Sequence, residues 1–561
     1  MPLPIASPIP ARKYVFFISI FLALANLAYA LLANIWFLLP ALIFIGLAVV
    51  GILDLRQKRH SVLRNYPILG HFRYMFESIR PEMRQYFFES NLDGTPFSRE
   101  QRSLVYDRAK DIEGNKPFGT EHDLYAEDYS WMNHSMVPKG GPGKPRKDPR
   151  SDETLRVLIG GPDCTKPYSA SLFNISAMSF GALSANAITA LNSGAAMGNF
   201  AHDTGEGGIS RYHKQPGGDL IWEIGSGYFG CRSAEGGFDP VAFATQAALP
   251  QVKMIEIKLS QGAKPGHGGV LPAPKVSEEI AEARGVTRGE DCVSPSAHSA
   301  FSTPLELVDF IIKLRNLSEG KPVGIKLCLG HKWEFMALVK AMIERDTAPD
   351  FIVIDGAEGG TGAAPLEFSN HLGTPLRQGL VFVHNTLIGA GLRQRISLGA
   401  SGKLITAFDI AATLSLGADW VNSARGFMFS IGCIQSQSCH TNRCPVGVAT
   451  QDPQRQEALV VPEKSIRVAN FHRNTLRALS EFAEASGLDS PRQLQPEHIY
   501  LREGHREILP ASAALEWLKK GALLIQNDIA GYSTYWKMAQ ASSFEPIKSV
   551  EAAHDERKQD T

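Results

Sequence analysis

Three cysteines grouped in the last third of the chain are the residues best suited to chemistry. Cys433, Cys439 and Cys444 are spaced C-x5-C-x4-C, and Pro445 follows the last of them. Thiolate sulfur is a soft ligand that suits zinc or iron in iron–sulfur clusters. A structural zinc site needs four ligands, usually in two closely spaced pairs. Only Cys439 and Cys444 have such a gap, no second pair lies nearby, and His440 directly follows Cys439, which makes it an awkward fourth ligand. Three thiolates and a Cys-Pro ending point instead to an iron–sulfur loop. The plainer alternative is three unrelated core cysteines, since free cysteine is often simply buried.

Two glycine-rich stretches precede the cysteines. Ile396–Leu398 reads as a strand running into a loop Gly399-Ala400-Ser401-Gly402-Lys403, and Trp420–Asn422 as one running into Ser423-Ala424-Arg425-Gly426. Glycine lets backbone amides approach phosphate oxygens, and Arg425 adds charge. As a consecutive pair the two loops suit a phosphorylated cofactor such as FMN; the bland alternative is two ordinary βα turns. Gly225, Gly227 and Gly230 match G-x-G-x-x-G. No helix start follows them, so they do not read as a dinucleotide site.

The elements that must position these residues alternate. Candidate strands are Phe173–Met178, Met254–Leu259, Val323–Cys328, Phe351–Ile354, Ile396–Leu398 and Trp420–Asn422. Candidate helices include Ser184–Met197, Pro304–Leu317, Lys332–Glu344 and Phe408–Leu416. This pattern predicts an α/β fold, a (β/α)8 TIM barrel with insertions, in which the loops after strands seven and eight commonly hold phosphate. The alternative is an open doubly wound sheet. The chain divides into a hairpin (1–60), a mixed connecting region (61–150), the barrel (151–480), and a helical cap with a charged tail (481–561). Val468–Glu484 and Ala511–Lys519 read as amphipathic helices in or near that cap.

Tyr14–Leu32 and Ile35–Leu53 are apolar, uncharged and separated only by Ala33-Asn34. Each is long enough to span a bilayer as a helix. Arg12 and Lys13 precede the pair; Arg56, Lys58, Arg59 and Arg64 follow it. Basic flanks on both sides predict a multi-pass protein of the inner (cytoplasmic) membrane with both ends and the catalytic domain in the cytosol. A signal peptide or a buried helical pair are the competing readings. Phe72–Phe88 is rich in aromatics and arginine and suits the membrane surface; the basic, turn-rich run Pro138–Pro149 reads as a loop. The chain holds 57 Lys and Arg against 57 Asp and Glu, and therefore lacks the basic footprint of a nucleic-acid binder. Seven cysteines in 561 residues do not make a disulfide framework.

Five motifs in order carry a family resemblance: Met178-Ser179-Phe180-Gly181, Thr204-Gly205-Glu206-Gly207-Gly208, Gln261-Gly262-Ala263-Lys264-Pro265-Gly266, Gly359-Gly360-Thr361-Gly362-Ala363, and the cysteine loop through Thr450. Together they resemble the FMN-binding synthase domain of glutamate synthase. The resemblance implies a barrel holding FMN and one [3Fe-4S] cluster, with electrons passing from cluster to flavin to reduce an imine of 2-oxoglutarate, formed with ammonia, to glutamate. It implies that Cys433, Cys439 and Cys444 hold the cluster and that Ala177, Met178 and Ser179 lie against the flavin ring. Ser401, Gly402, Lys403, Ser423, Arg425 and Gly426 would hold its phosphate. Lys326 would face the flavin N1–O2 edge, where a positive charge stabilises anionic reduced flavin; an ion-paired barrel lysine is the alternative. Lys264 and Gly359, Gly360, Thr361 and Gly362 become substrate-carboxylate contacts. Glu206 either binds the substrate nitrogen or orients the flavin.

The departures matter as much. His267 stands where the family carries glutamate, and an imidazole there can shuttle protons or select another substrate. No amidotransferase domain and no membrane-free start are expected, so ammonia or another amine comes from outside. Electrons come from a donor such as ferredoxin or a separate reductase subunit. The alternatives to imine reduction are transfer of an amino or methylamino group on glutamate, a membrane-bound redox relay without turnover, and, most remotely, a zinc-binding scaffold.

Overall fold

The structure, a computed structural model, describes residues 11–141, 147–504, 507–525 and 528–547; the tail Glu551–Thr561 and part of the basic run Pro138–Pro149 lie outside them. The chain forms two compact units, Met1–Gly94 and Thr95–Thr561.

In the first unit, helices α1 (Tyr14–Leu32) and α2 (Leu38–Arg56) pack along each other. A 3-10 turn, Ile35–Phe37, joins them, with the Asn34 side chain accepting from the Trp36 amide. The second helix therefore begins three residues later than the apolar run suggests. Small residues permit the close packing: Ala23, Ala30 and Ala41 are buried, and a Cβ on Gly51 would collide with the Phe16 ring. Both segments are long and apolar enough to cross a membrane. The aromatic stretch that follows folds as α3 (Gly70–Met83) and a π turn, Arg84–Phe88.

The second unit is built on a closed barrel of eight parallel strands. They are β1 (Phe173–Ile175), β2 (His202–Asp203), β3 (Leu220–Ile224), β4 (Val252–Lys258), β5 (Val323–Leu327), β6 (Phe351–Asp355), β7 (Ser397–Ser401) and β8 (Trp420–Ser423). The barrel closes where Val421, Asn422 and Ser423 pair with Phe173, Asn174 and Ile175. Almost every strand residue is buried, as expected for a sheet covered outside by helices and filled inside by side chains. The covering helices are α4 (Ala185–Gly198), α5 (Pro304–Leu317), α6 (Lys332–Glu344), α7 (Leu376–Gly389), α8 (Ala407–Ser415) and the long α9 (Val461–Ala485). Three of the starts are set by side-chain caps. Ser184 accepts from the Ala187 amide, while Thr303 with Glu306 and Thr406 with Asp409 form capping boxes.

Four expectations need correction. β2 and β3 were not legible as strands. β1 ends at Ile175, which leaves Ala177, Met178 and Ser179 in the loop above it. β7 runs through Ser401, so Gly399 and Ala400 are strand and not loop; glycine is required at 399 because a Cβ would press into the Trp420 ring. The region after the barrel is not purely helical. Ile499–Glu503 and Glu507–Pro510 form a three-stranded antiparallel sheet with Ser130–Met132, and the helix expected over Ala511–Lys519 ends at Ala514.

Candidate active site

The carboxyl ends of the barrel strands meet under a cavity of about 1010 Å³, contiguous with a smaller hollow of about 140 Å³ that shares Ala177, Lys264 and Arg425 as walls. The large cavity is lined by Ser401, Gly402 and Lys403 from the β7 end, Ser423 and Arg425 from the β8 end, and Lys326 from β5. Gly359, Gly360, Thr361 and Gly362 from the loop after β6 line it too, as do Cys433, Cys439 and Cys444. Met178, Ser179 and Glu206 face the smaller hollow. Of the site residues expected from sequence, only Gly426 lines neither space; it is buried, with room for no Cβ beside Ser423 and Ile405.

Backbone close approaches explain the glycine motifs. In Gln261–Gly266, a Cβ on Gly262 would collide with the Gly356 carbonyl, so the loop after β4 lies directly on the loop after β6. Asp355, at the end of β6, fastens three elements: one carboxyl oxygen accepts from the Gly262 amide at 2.8 Å, and the other from the Ser401 hydroxyl. Gly402 sits at φ +139, a conformation that L residues rarely adopt, at the point where β7 turns over the cavity.

Lys326 is buried at the centre of the barrel mouth, in contact with Glu223, 3.3 Å from Glu256 and 4.0 Å from Asp203. These three carboxylates converge within 4.8 Å of one another, a geometry that would suit a cation; the Lys326 ammonium already fills that role. Three buried carboxyls against one ammonium leave excess negative charge, which burial makes costly. Burial, followed by the neighbouring Asp203, pushes the Glu256 carboxyl well above its ordinary range, and burial raises Asp203 as well. No sequence motif marks this group. Asp203, Glu223, Glu256 and Lys326 come from four strands and meet only when the barrel closes.

A second cluster lines the smaller hollow. Lys258, the register partner of Lys326, lies 3.0 Å from the Glu206 carboxylate. Burial works to raise Glu206, but Lys258, Lys264 and Arg284 together hold it below its usual value. Arg284 is buried over the Phe229 ring, donates to the Phe180 carbonyl at 3.1 Å, and keeps its Nε without a hydrogen-bond partner among the described residues. Lys264 is lowered by burial and sustained by Glu206. Lys258 and Arg284 were missed from the sequence; their positions at a strand end and on an insertion helix were the available signal. His267 is exposed, with Nδ1 2.9 Å from the Gly268 carbonyl and its ring edge against Phe368.

Arg425 does not stand free above the cavity. Its Nη2 donates to the Thr361 carbonyl at 2.8 Å, and its Nη1 lies 3.8 Å from Cys439 Sγ. All three cysteines of the loop are unbridged; Cys433 and Cys444 are buried and Cys439 is half-buried. Around a single tetrahedral zinc ion with Zn–S bonds of about 2.3 Å, sulfurs stand about 3.8 Å apart. Among the described residues the carboxyl trio is the one ligand group that converges within 4.8 Å, so the three sulfurs do not all lie within that distance of one another.

The chain is similar to known proteins along most of its length. Residues 159–489 match the conserved region in glutamate synthase. A glutamate synthase large subunit-like protein, YerD, of Bacillus subtilis (strain 168) is 39% identical over 508 residues, which cover 84% of this chain and 95% of that protein. The archaeal glutamate synthase [NADPH] of Methanocaldococcus jannaschii is 33% identical over 348 residues, and the aligned part spans 61% of this chain and 65% of that protein. A solved chimeric (S)-mandelate dehydrogenase covers 72% of this chain and 98% of its own at 12% identity, with a TM-score of 0.42, a likeness too slight to carry weight beside the strand order itself. With the conserved region matched over most of the barrel and a relative aligned along nearly its whole length, the chain belongs to the glutamate synthase family.

Proposed function

We propose that this chain is a glutamate synthase-type oxidoreductase that reduces an imine of 2-oxoglutarate to glutamate. The observation that carries the proposal is a single cavity walled at once by the two phosphate-type loops, Lys326, the Gly359–Gly362 loop and all three cysteines. Its volume of about 1010 Å³ is at the upper end for small-molecule sites and suits a cofactor together with a substrate.

The residues fit FMN. Ser401, Gly402, Lys403 and Ser423 surround the phosphate position at the ends of β7 and β8, and Ala177, Met178 and Ser179 flank the ring position. Cys433, Cys439 and Cys444 suit a [3Fe-4S] cluster, the three-ligand set that the loop supplies. Bound there, flavin would supply hydride to a carbon–nitrogen double bond, and the cluster would supply single electrons.

This chain's own residues do the rest. Lys258, Lys264 and Arg284 offer three cations to a dicarboxylate, and the unpartnered Arg284 Nε is a donor in search of an acceptor. Glu206, held as a carboxylate by those cations, orients the incoming amine. Lys326 brings positive charge to the cavity floor, and its carboxyl neighbours keep the ammonium fixed. His267, at the rim, is placed to pass protons between solvent and the cavity. The helical pair α1 and α2 anchors the protein in a membrane with the catalytic unit in the cytosol, and a ferredoxin or a separate reductase subunit delivers electrons. Anaerobic incubation with reduced methyl viologen, 2-oxoglutarate and 15N-ammonium tests the assignment: labelled glutamate supports it. N-methylglutamate formed from glutamate and 15N-methylamine with release of unlabelled ammonia, and no labelled glutamate from ammonium, would instead favour methylamino transfer.

A further inference from the structure

Helix α3 carries a feature that the proposed catalytic function does not use. Phe72, Met75, Phe76, Ile79 and Met83 recur at three- and four-residue spacing. At 3.6 residues per turn they fall within an arc of about 100°. All five are between 39% and 60% exposed, although each is a large apolar side chain. Arg73, Arg80 and Arg84 lie along one edge of this stripe by the same spacing. The side of the helix turned toward its own chain is a different one. Tyr74 sets its ring edge-on to His60, and His71 Nε2 lies 2.9 Å and 3.0 Å from the two carboxyl oxygens of Asp54.

Asp54 fixes where the helix begins. It is buried in the last turn of α2 and also accepts from the Ile68 amide at 2.9 Å. The first turn of α3 is therefore held beside the end of α2. If α2 crosses a membrane, that end is the boundary between acyl chains and headgroups.

We propose that α3 lies in the membrane interface, with its apolar stripe in the acyl–headgroup boundary and its arginine edge against anionic lipid phosphates. The inference rests on the reading of α1 and α2 as membrane spans. A helix with a large apolar stripe, low overall hydrophobicity and a basic edge is the kind that beds about 5–10 Å into this zone. Arg56, at the end of α2, and Lys58, Arg59 and Arg64, between α2 and α3, add positive charge at the same level and complement anionic headgroups. The hairpin and the surface helix together would hold the protein by two unlike contacts, one spanning and one lateral.

The test places a photoreactive benzoylphenylalanine singly at positions 21, 74 and 76 of the full chain, reconstituted in vesicles of phosphatidylcholine and phosphatidylglycerol. Illumination and mass spectrometry then identify what each position captures. Lipid adducts at 21 and 76, with a several-fold lower yield at 74, are the expected result. Adducts at 21 but none at 76 would overturn the surface helix and leave the hairpin standing. A protein–protein crosslink at 76 between two copies would overturn it in favour of a self-interface. Absence of lipid adducts at 21 would remove the membrane reading itself, and this inference with it.

Discussion

Lys326 holds together a site whose charges would otherwise repel. Removing its ammonium by Lys326→Met leaves Glu223 and its neighbours buried without a counter-charge. Breaking a buried pair from one side costs about 3–5 kcal/mol. The expected outcome is a lowered urea midpoint for the barrel, with most of the loss recovered when Glu223→Met is added; equal instability of the single and double variants would contradict the account. The cysteine loop makes a sharper demand. Cys439→Ser should abolish iron and acid-labile sulfide in anaerobically purified protein while leaving FMN bound, because the phosphate-type loops lie on other elements. Full retention of iron in this variant would remove Cys439 from the ligand set.

Among the elements, the loops after β4 and β6 are interlocked by contact between their backbones. Gly262→Ala drives a methyl group into the Gly356 carbonyl, and a forced shift of this kind costs about 1–3 kcal/mol. We expect a lower Tm and reduced FMN content together; a drop in neither would show that the two loops move independently. The same elements show what a sequence can convey. Pro304–Leu317 and Lys332–Glu344 were readable to the residue, since a capping threonine or a clear apolar period marks them. β2 has two residues, too few for any alternation, and β3 carries Trp222 and Glu223 in mid-strand, so neither announced itself. The second half of β7 looked like a loop because glycine at 399 makes room for a tryptophan from the next strand. The cysteines and glycine motifs were legible as local patterns. The carboxyl–lysine group and the pairing of Arg425 with Thr361 and Cys439 were not, because they exist only through barrel closure.

At the scale of the whole molecule, buried imidazoles set the response to acid. Burial lowers His213 to about 4, His384 to about 4 and His472 to about 3; Arg393 assists at His384 and Arg156 at His472. Below the ordinary value of 6.5 the unfolded chain takes up protons that the folded chain refuses. Their contribution to stability is complete above that value and is lost progressively as pH falls through the window. Glu256 and Asp203, raised by burial, act in the opposite sense, contributing most at low pH. His472 is stacked on Phe200 and bonded to Ser171, away from the cavity. His472→Asn should therefore flatten the dependence of unfolding free energy on pH between about 4 and 6.5 by about one proton; an unchanged slope would contradict the assignment.

The measurement that tests the central claim most directly follows the flavin itself. Protein purified without oxygen in detergent is photoreduced, and its absorbance is recorded as 2-oxoglutarate and ammonium are added, each omitted in turn. The account predicts reoxidation only when both are present, with glutamate formed in proportion. Flavin that stays reduced with both substrates present, in protein that retains its FMN and its iron, would contradict it.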